Sequence, residues 1–281
     1  MILLWALLAC RQTVGPSVAA PSGEQAVSDW AGLLPAVVTP RGDVDYDRLN
    51  DERAALDGYV AFLATVRPSS DRDNPQHAFW LNAYNALTLW HVLELGRPAS
   101  VYEVDGLLPV PGSGFFFERA VPVQGLATSL WEIAHERLRG RQMDVRDHAA
   151  MYGATRGGAP LAPVFFRPAN LEQQLDAVMA AWLAHPTRGV QIDPDGVALP
   201  PAFGNFAGDF DRWTGGVDPC TTALRALRAV GEDGEGGADD RPRALAQAAR
   251  TGCVARVVTE DLRLDDAGVG DDDEGGGSAP R

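Results

Sequence analysis

One stretch constrains the fold of this chain more than any other. From Ala78 to Leu95 the sequence runs Ala-Phe-Trp-Leu-Asn-Ala-Tyr-Asn-Ala-Leu-Thr-Leu-Trp-His-Val-Leu-Glu-Leu with no glycine or proline inside it, and Gly96 and Pro98 follow directly. Such a run predicts a helix, and its breakers stand where helices end. It is apolar on nearly every side, which places it at the centre of a core, not on a surface. Asn82 and Asn85 lie three residues apart on it, so they share one side. A buried amide must find partners, so the two asparagines are expected to tie this helix to neighbouring backbone.

The rest of the chain divides around that helix. Tyr46 to Val66 repeats apolar residues at Leu49, Leu56, Tyr59, Val60 and Leu63, close to a 3.6-residue period. Leu107 to Gly114 breaks regular structure, and Phe115-Phe116-Phe117 with Val121 and Val123 suggests short strands. Ser129 and Glu132 have the spacing of a capping box for a helix reaching about Arg139. Asn170 is placed to cap a helix over Leu171 to Ala184, and Gly189 to Leu199 predicts a hairpin turning at Asp195-Gly196. Thr222 to Val230 and Arg241 to Thr251 read as helices, and Val254 to Val258 as a strand. Helices and short hairpins in mixed order, without regular βαβ alternation, give an α+β single domain with a central buried helix.

Composition narrows the chemistry. The 281 residues include 24 basic and 38 acidic side chains, a net charge of −14. Every basic residue is arginine; the absence of lysine excludes Schiff-base chemistry, a P-loop lysine and a Ser-Lys dyad. The negative balance argues against a nucleic-acid partner. From Gly231 onward there are 13 acidic and 6 basic residues, so half the excess lies in the last fifth of the chain. Asp271 to Gly277 is acidic and then glycine-rich, and it reads as a solvated tail.

The N-terminus carries an address. Met1 to Cys10 is apolar and ends Leu7-Leu8-Ala9-Cys10, which resembles a bacterial lipobox with Cys10 as the lipidated residue. Arg11 to Gly23, rich in Ala, Pro, Ser and Gly, reads as a flexible tether. The expectation is a cell-envelope lipoprotein, held to the outer membrane through Cys10 and facing the periplasm or the outside. Export makes a disulfide between Cys220 and Cys253 possible, and two buried thiols are the alternative. The organisation read from sequence is signal and tether over 1–28, one domain over 29–266 and an acidic tail over 267–281.

Several stretches carry a family resemblance. The most specific is Phe79-Trp80-Leu81-Asn82-Ala83-Tyr84-Asn85-Ala86-Leu87; others are Asp144-Val145-Arg146-Asp147-His148, Pro160-Leu161, Gly208-Asp209-Phe210 and Thr259-Glu260-Asp261-Leu262. Their order over Asp29 to Asp266 resembles the domain of unknown function 547 family, found in bacterial exported proteins and in plants. The resemblance implies a cysteine shortly after the histidine matching His148, and a second cysteine five residues later. Here those positions are Gly153 and Gly158, so no thiolate forms at either.

His148 and His135 remain the candidate catalytic residues, as a general base or the remnant of a dyad; the alternative is a structural histidine. His135-Glu136 is not a zinc-protease motif, because Arg139 stands where the second histidine belongs. No metal or other cofactor is expected. Without the cysteines, the sequence favours a non-enzymatic protein that binds a small ligand or an envelope protein. A hydrolase or transferase built around His148 is the alternative.

Overall fold

The computed structural model describes residues 12–67, 74–141, 144–194, 196–229, 240–253 and 255–268. Cys10 and the run Asp271 to Gly277 lie outside the described residues.

The long apolar run forms the helix expected of it. This helix, α4, spans Asn74–Glu94 and follows three shorter ones: α1, Gly23–Val37; α2, Tyr46–Asp51; and α3, Arg53–Leu63. Leu81, Ala83, Ala86, Leu87, Leu89 and Val92 are fully enclosed. The single period read over Tyr46 to Val66 resolves into two helices because Glu52 leaves helical geometry at φ −100° and ψ 22°. Leu49 on one half and Leu56, Tyr59, Val60 and Leu63 on the other still reach the same core.

α1 begins inside the stretch read as tether. Ser22 caps it by accepting a bond from the Gln25 amide at 3.2 Å, and Trp30 packs on Tyr59 with ring centroids 6.2 Å apart. Ahead of it, Gln12–Thr13 (β1) pairs in parallel with Arg119–Val123 (β2), which pairs antiparallel with Leu126–Ser129 (β3). The β2–β3 turn uses Gln124 and Gly125 at φ 53° and 78°, the left-handed pair that suits a two-residue hairpin.

Phe115 and Phe116 belong to a helical turn, α5 (Ser113–Phe116), and not to a strand. Gly112 at φ 72° reverses the chain, and the Ser113 hydroxyl donates to the Leu108 carbonyl at 2.9 Å, so the segment coils before β2 starts.

At the end of β3 the Ser129–Glu132 capping box forms as the spacing predicts. The helix it opens starts as an α-turn, Leu130–Glu132, and widens into a π-helix, Ile133–Arg139; together these are α6. α7 (Asp147–Ala150) and α8 (Leu171–Leu183) follow. Asn170 stands at the start of α8 but makes no side-chain cap bond.

A second, smaller core lies toward the C-terminus. It gathers Met179, Trp182 and Leu183 of α8, the hairpin Gln191–Asp193 (β4) with Gly196–Leu199 (β5), and four helices: α9, Ala202–Asn205; α10, Ala207–Thr214; α11, Pro219–Ala229; and α12, Arg241–Arg250. Arg256–Val257 (β6) adds to β5 in parallel, the strand expected near Val254 to Val258 in shorter form. α8 belongs to both cores, since its Leu171 and Leu175 are part of the larger one. Cys220 and Cys253 are joined in a disulfide, with their Cα atoms 5.7 Å apart, and the bond fastens the start of α11 to the chain after α12. The whole is α+β, helices with two small three-stranded sheets. Among the described residues no helix is long and apolar enough to cross a membrane.

Candidate functional site

The two asparagines of α4 hold the backbone of the segments that lead into the site. Asn82 donates to the Phe166 carbonyl at 2.8 Å and accepts from the Phe166 amide at 2.9 Å. Asn85 does the same across the chain that leaves α7, donating to the Ala150 carbonyl and accepting from the Tyr152 amide, both at 2.9 Å. Each amide thus satisfies two buried backbone groups that no strand partner reaches. The Asn85 clamp fixes the path from His148 into Gly153.

A cavity of about 340 Å³ opens where the two cores meet. His135 and Arg139 of α6, His148 of α7, Gly153 and Gly158 from the following loop, and Phe206 of the second core all line it. The structure therefore gathers at one cavity both candidate histidines and both positions where the family resemblance places cysteine.

His148 is nearly buried, its side chain only 5% exposed, and its ring lies flat on Phe206 with centroids 4.4 Å apart. Its Nε2 is 3.1 Å from Oδ2 of Asp209. Burial pushes the Asp209 carboxyl up, but bonds from Arg139 and Arg212 outweigh this and hold it at about 2. Arg139 grips it with Nε to Oδ2 at 2.6 Å and Nη2 to Oδ1 at 3.0 Å; Arg212 adds Nη2 to Oδ1 at 2.6 Å. An ionised carboxylate can only accept, so Nε2 of His148 carries the proton. Burial also lowers the His148 pKa; the Asp209 bond opposes this only in part, and Arg139 adds to the lowering. At neutral pH the ring is uncharged, with its lone pair on Nδ1.

His135 has a different role. Arg139 Nη1 lies 2.6 Å from its Nδ1, and because arginine only donates, that nitrogen is an acceptor already in use. Its ring stacks on Trp131 at 4.9 Å. Burial and the Arg139 charge both lower its pKa. Arg139, which on sequence only disqualified a zinc motif, is the residue that joins His135 to Asp209. The π-helical widening of α6 carries this His135–Arg139 pair, consistent with the placement of such segments at functional sites.

The loop after α7 and the segment near residue 260 also line the cavity. Ala154 sits at φ 56°, an unusual conformation for alanine that turns the loop before Thr155. The Thr155 hydroxyl donates to Oε1 of Glu260 at 3.0 Å. Gly157 is required by close approach, since a Cβ there would stand 2.3 Å from the Asp261 amide nitrogen. A Cβ at Gly158 would stand 2.7 Å from Thr155 Oγ1, whereas at Gly153 the nearest neighbour would be 3.8 Å away, an ordinary contact. The two glycines are thus unlike. Gly153 leaves open space, and Gly158 makes room for the Thr155–Glu260 hydrogen bond.

Asp209, Arg139, Thr155, Phe206 and Glu260 complete the site, and sequence reasoning did not single out their roles. Asp209 and Glu260 lay within the Gly208-Asp209-Phe210 and Thr259-Glu260-Asp261-Leu262 stretches, which was the available signal. Among the described residues one cluster has metal-ligand proximity, Asp218 with Cys220 and Cys253, and its two sulfurs are already bonded to each other.

The family model described as "Protein of unknown function, DUF547" matches residues 68–183. This segment of the chain belongs to DUF547. It contains α4 with its two amide clamps, both pocket histidines and both glycines, but ends before Asp209 and Glu260, and short of the 29–266 span of the motif resemblance. No curated protein and no solved structure matches the chain.

Proposed function

We propose that this DUF547 protein binds a small molecule, without covalent chemistry, in the cavity beside His148. The observation that carries the proposal is the joint placement of a His148–Asp209 pair, held in one tautomer, with glycine at both expected thiol positions on the wall of the same cavity. A histidine–carboxylate pair is present at the cavity, and neither expected thiol is. Aromatic and apolar side chains line most of the cavity and a few polar groups converge in it, the usual make-up of a small-molecule site. The lipobox-like Cys10 supports an envelope address with the domain held at a membrane through a lipid, in a bacterial cell. Palmitate labelling of the wild type against Cys10→Ala tests that part; no label in the wild type would refute it.

The test of binding is a thermal-shift screen of small molecules against the wild type and Gly153→Phe, whose side chain fills the open space at that position. Compounds that raise the wild-type melting temperature but not that of Gly153→Phe support the proposal. A screen in which both proteins respond alike refutes it.

A second reading draws on the neutral His148 ring. With Nε2–H given to Asp209, its Nδ1 is a competent general base for water or for a nucleophile on the substrate, as a hydrolase or transferase requires. Turnover of ester or amide substrates that disappears in His148→Ala would replace the binding reading with this one.

A further inference from the structure

Glu260 is the carboxylate on the cavity wall that has no arginine partner among the described residues. The carboxylate of Asp209 is held by Arg139 and Arg212, and His135 and His148 are uncharged. Glu260 accepts from the Thr155 hydroxyl, and among the described residues no arginine or histidine forms an ion pair with it. Burial raises its pKa, opposed only by that hydroxyl. Tyr102 and Phe116 line the same cavity, their ring centroids 5.4 Å apart. Burial pushes the Tyr102 hydroxyl up to about 12, and the charge of Glu260, on the wall of the same cavity, adds to this. Gly158 keeps the approach clear, since even a Cβ there would lie 3.7 Å from Glu260 Oε1.

A half-buried carboxylate without a cation partner, in a cavity also lined by aromatic rings, is an arrangement that recognises an ammonium group. The carboxylate supplies a charge-assisted hydrogen bond, and the ring faces attract the same positive charge. We infer that the ligand of this cavity is an organic amine, with its ammonium group at Glu260 beside Tyr102 and its apolar body in the aromatic part of the cavity. This inference rests on the small-molecule reading above and names the class of ligand.

Three probes of one size separate the two claims: 2-phenylethylamine, 2-phenylethanol and 3-phenylpropionate, titrated calorimetrically into the wild type and Glu260→Gln. In the wild type the amine is expected to bind about tenfold or more tighter than the alcohol, the gain of a charge-assisted over a neutral hydrogen bond. The carboxylate probe should bind weakest. In Glu260→Gln the amine should fall to within about twofold of the alcohol, while the alcohol keeps its wild-type affinity and so reports an intact cavity. If the alcohol or the carboxylate binds the wild type as tightly as the amine, the amine inference is overturned while the ligand cavity stands. An amine preference that survives in Glu260→Gln also overturns it. If no probe binds the wild type, both fall. Should Glu260→Gln fail to fold, the ranking of the three probes on the wild type decides alone.

Discussion

Adding a single methyl group at Gly158 or at Gly153 should have opposite effects on stability, although both positions lie on one loop of one cavity. At Gly158 the new Cβ would stand 2.7 Å from Thr155 Oγ1, inside the distance that real contacts allow. Thr155 is only 1% exposed, so its hydroxyl can yield only by rotating away from Glu260 and giving up the 3.0 Å bond. Overpacking of this kind costs about 1–3 kcal/mol, and the lost hydrogen bond to a charged group about 1.5–3 more, so Gly158→Ala is expected to lose roughly 2.5–6 kcal/mol. At Gly153 the nearest atom would be 3.8 Å away, and alanine there should gain about 0.4–1 kcal/mol by restricting the unfolded chain. Urea unfolding of the two variants reads the contrast directly. A double-mutant cycle sharpens it: in a Thr155→Ala background the clashing hydroxyl is gone, so Gly158→Ala should cost about 1.5 kcal/mol or more less than in the wild type. Equal stabilities for the two glycine variants, or a cost at Gly158 that Thr155→Ala does not relieve, would refute the role given to Gly158.

Asn85→Ala should destabilise the protein by about 2–5 kcal/mol in chemical unfolding, because it strands a buried carbonyl at Ala150 and a buried amide at Tyr152. His91 is buried and its pKa is lowered to about 3 by burial, with Arg119 adding to the lowering. Its unfolded form takes up a proton near pH 6.5 and its folded form does not, so its contribution to stability is lost as pH falls, by about 1.4 kcal/mol per pH unit below 6.5. The stability of His91→Phe, measured from pH 7 to 4.5, should therefore fall less steeply than that of the wild type. Cutting the Cys220–Cys253 bond, which closes a separation of 33 residues, should cost about 3–4 kcal/mol in the Cys220→Ala/Cys253→Ala pair.

How much of this was legible in the sequence follows from the range of the forces involved. The central helix could be read because burial on every side leaves a continuous apolar run, and the capping box because its partners are three residues apart. The amide clamps could be anticipated in kind, since a buried asparagine must bond to something, but not in partner. Phe166 and Tyr152 lie 84 and 67 residues away. The triple phenylalanine misled because three aromatics favour a strand locally, while Gly112 and Ser113 impose a turn. α1 was hidden by the small residues of its first half, although Ser22 and Trp30 mark its start and its packing face. At the cavity, His148 was visible, but Asp209 lies 61 residues further on and Glu260 pairs with a threonine 105 residues before it. The difference between Gly153 and Gly158 exists only in three dimensions.

We propose that the cavity beside His148 holds a small ligand without forming a bond to it. Equilibrium dialysis of a ligand that stabilises the wild type, followed by denaturation and mass spectrometry of both ligand and protein, tests it most directly. Ligand should be retained by the wild type, lost by Gly153→Phe, and released unchanged from a protein of unaltered mass. A mass increase on the protein, a chemically altered ligand, or equal retention by Gly153→Phe would contradict it.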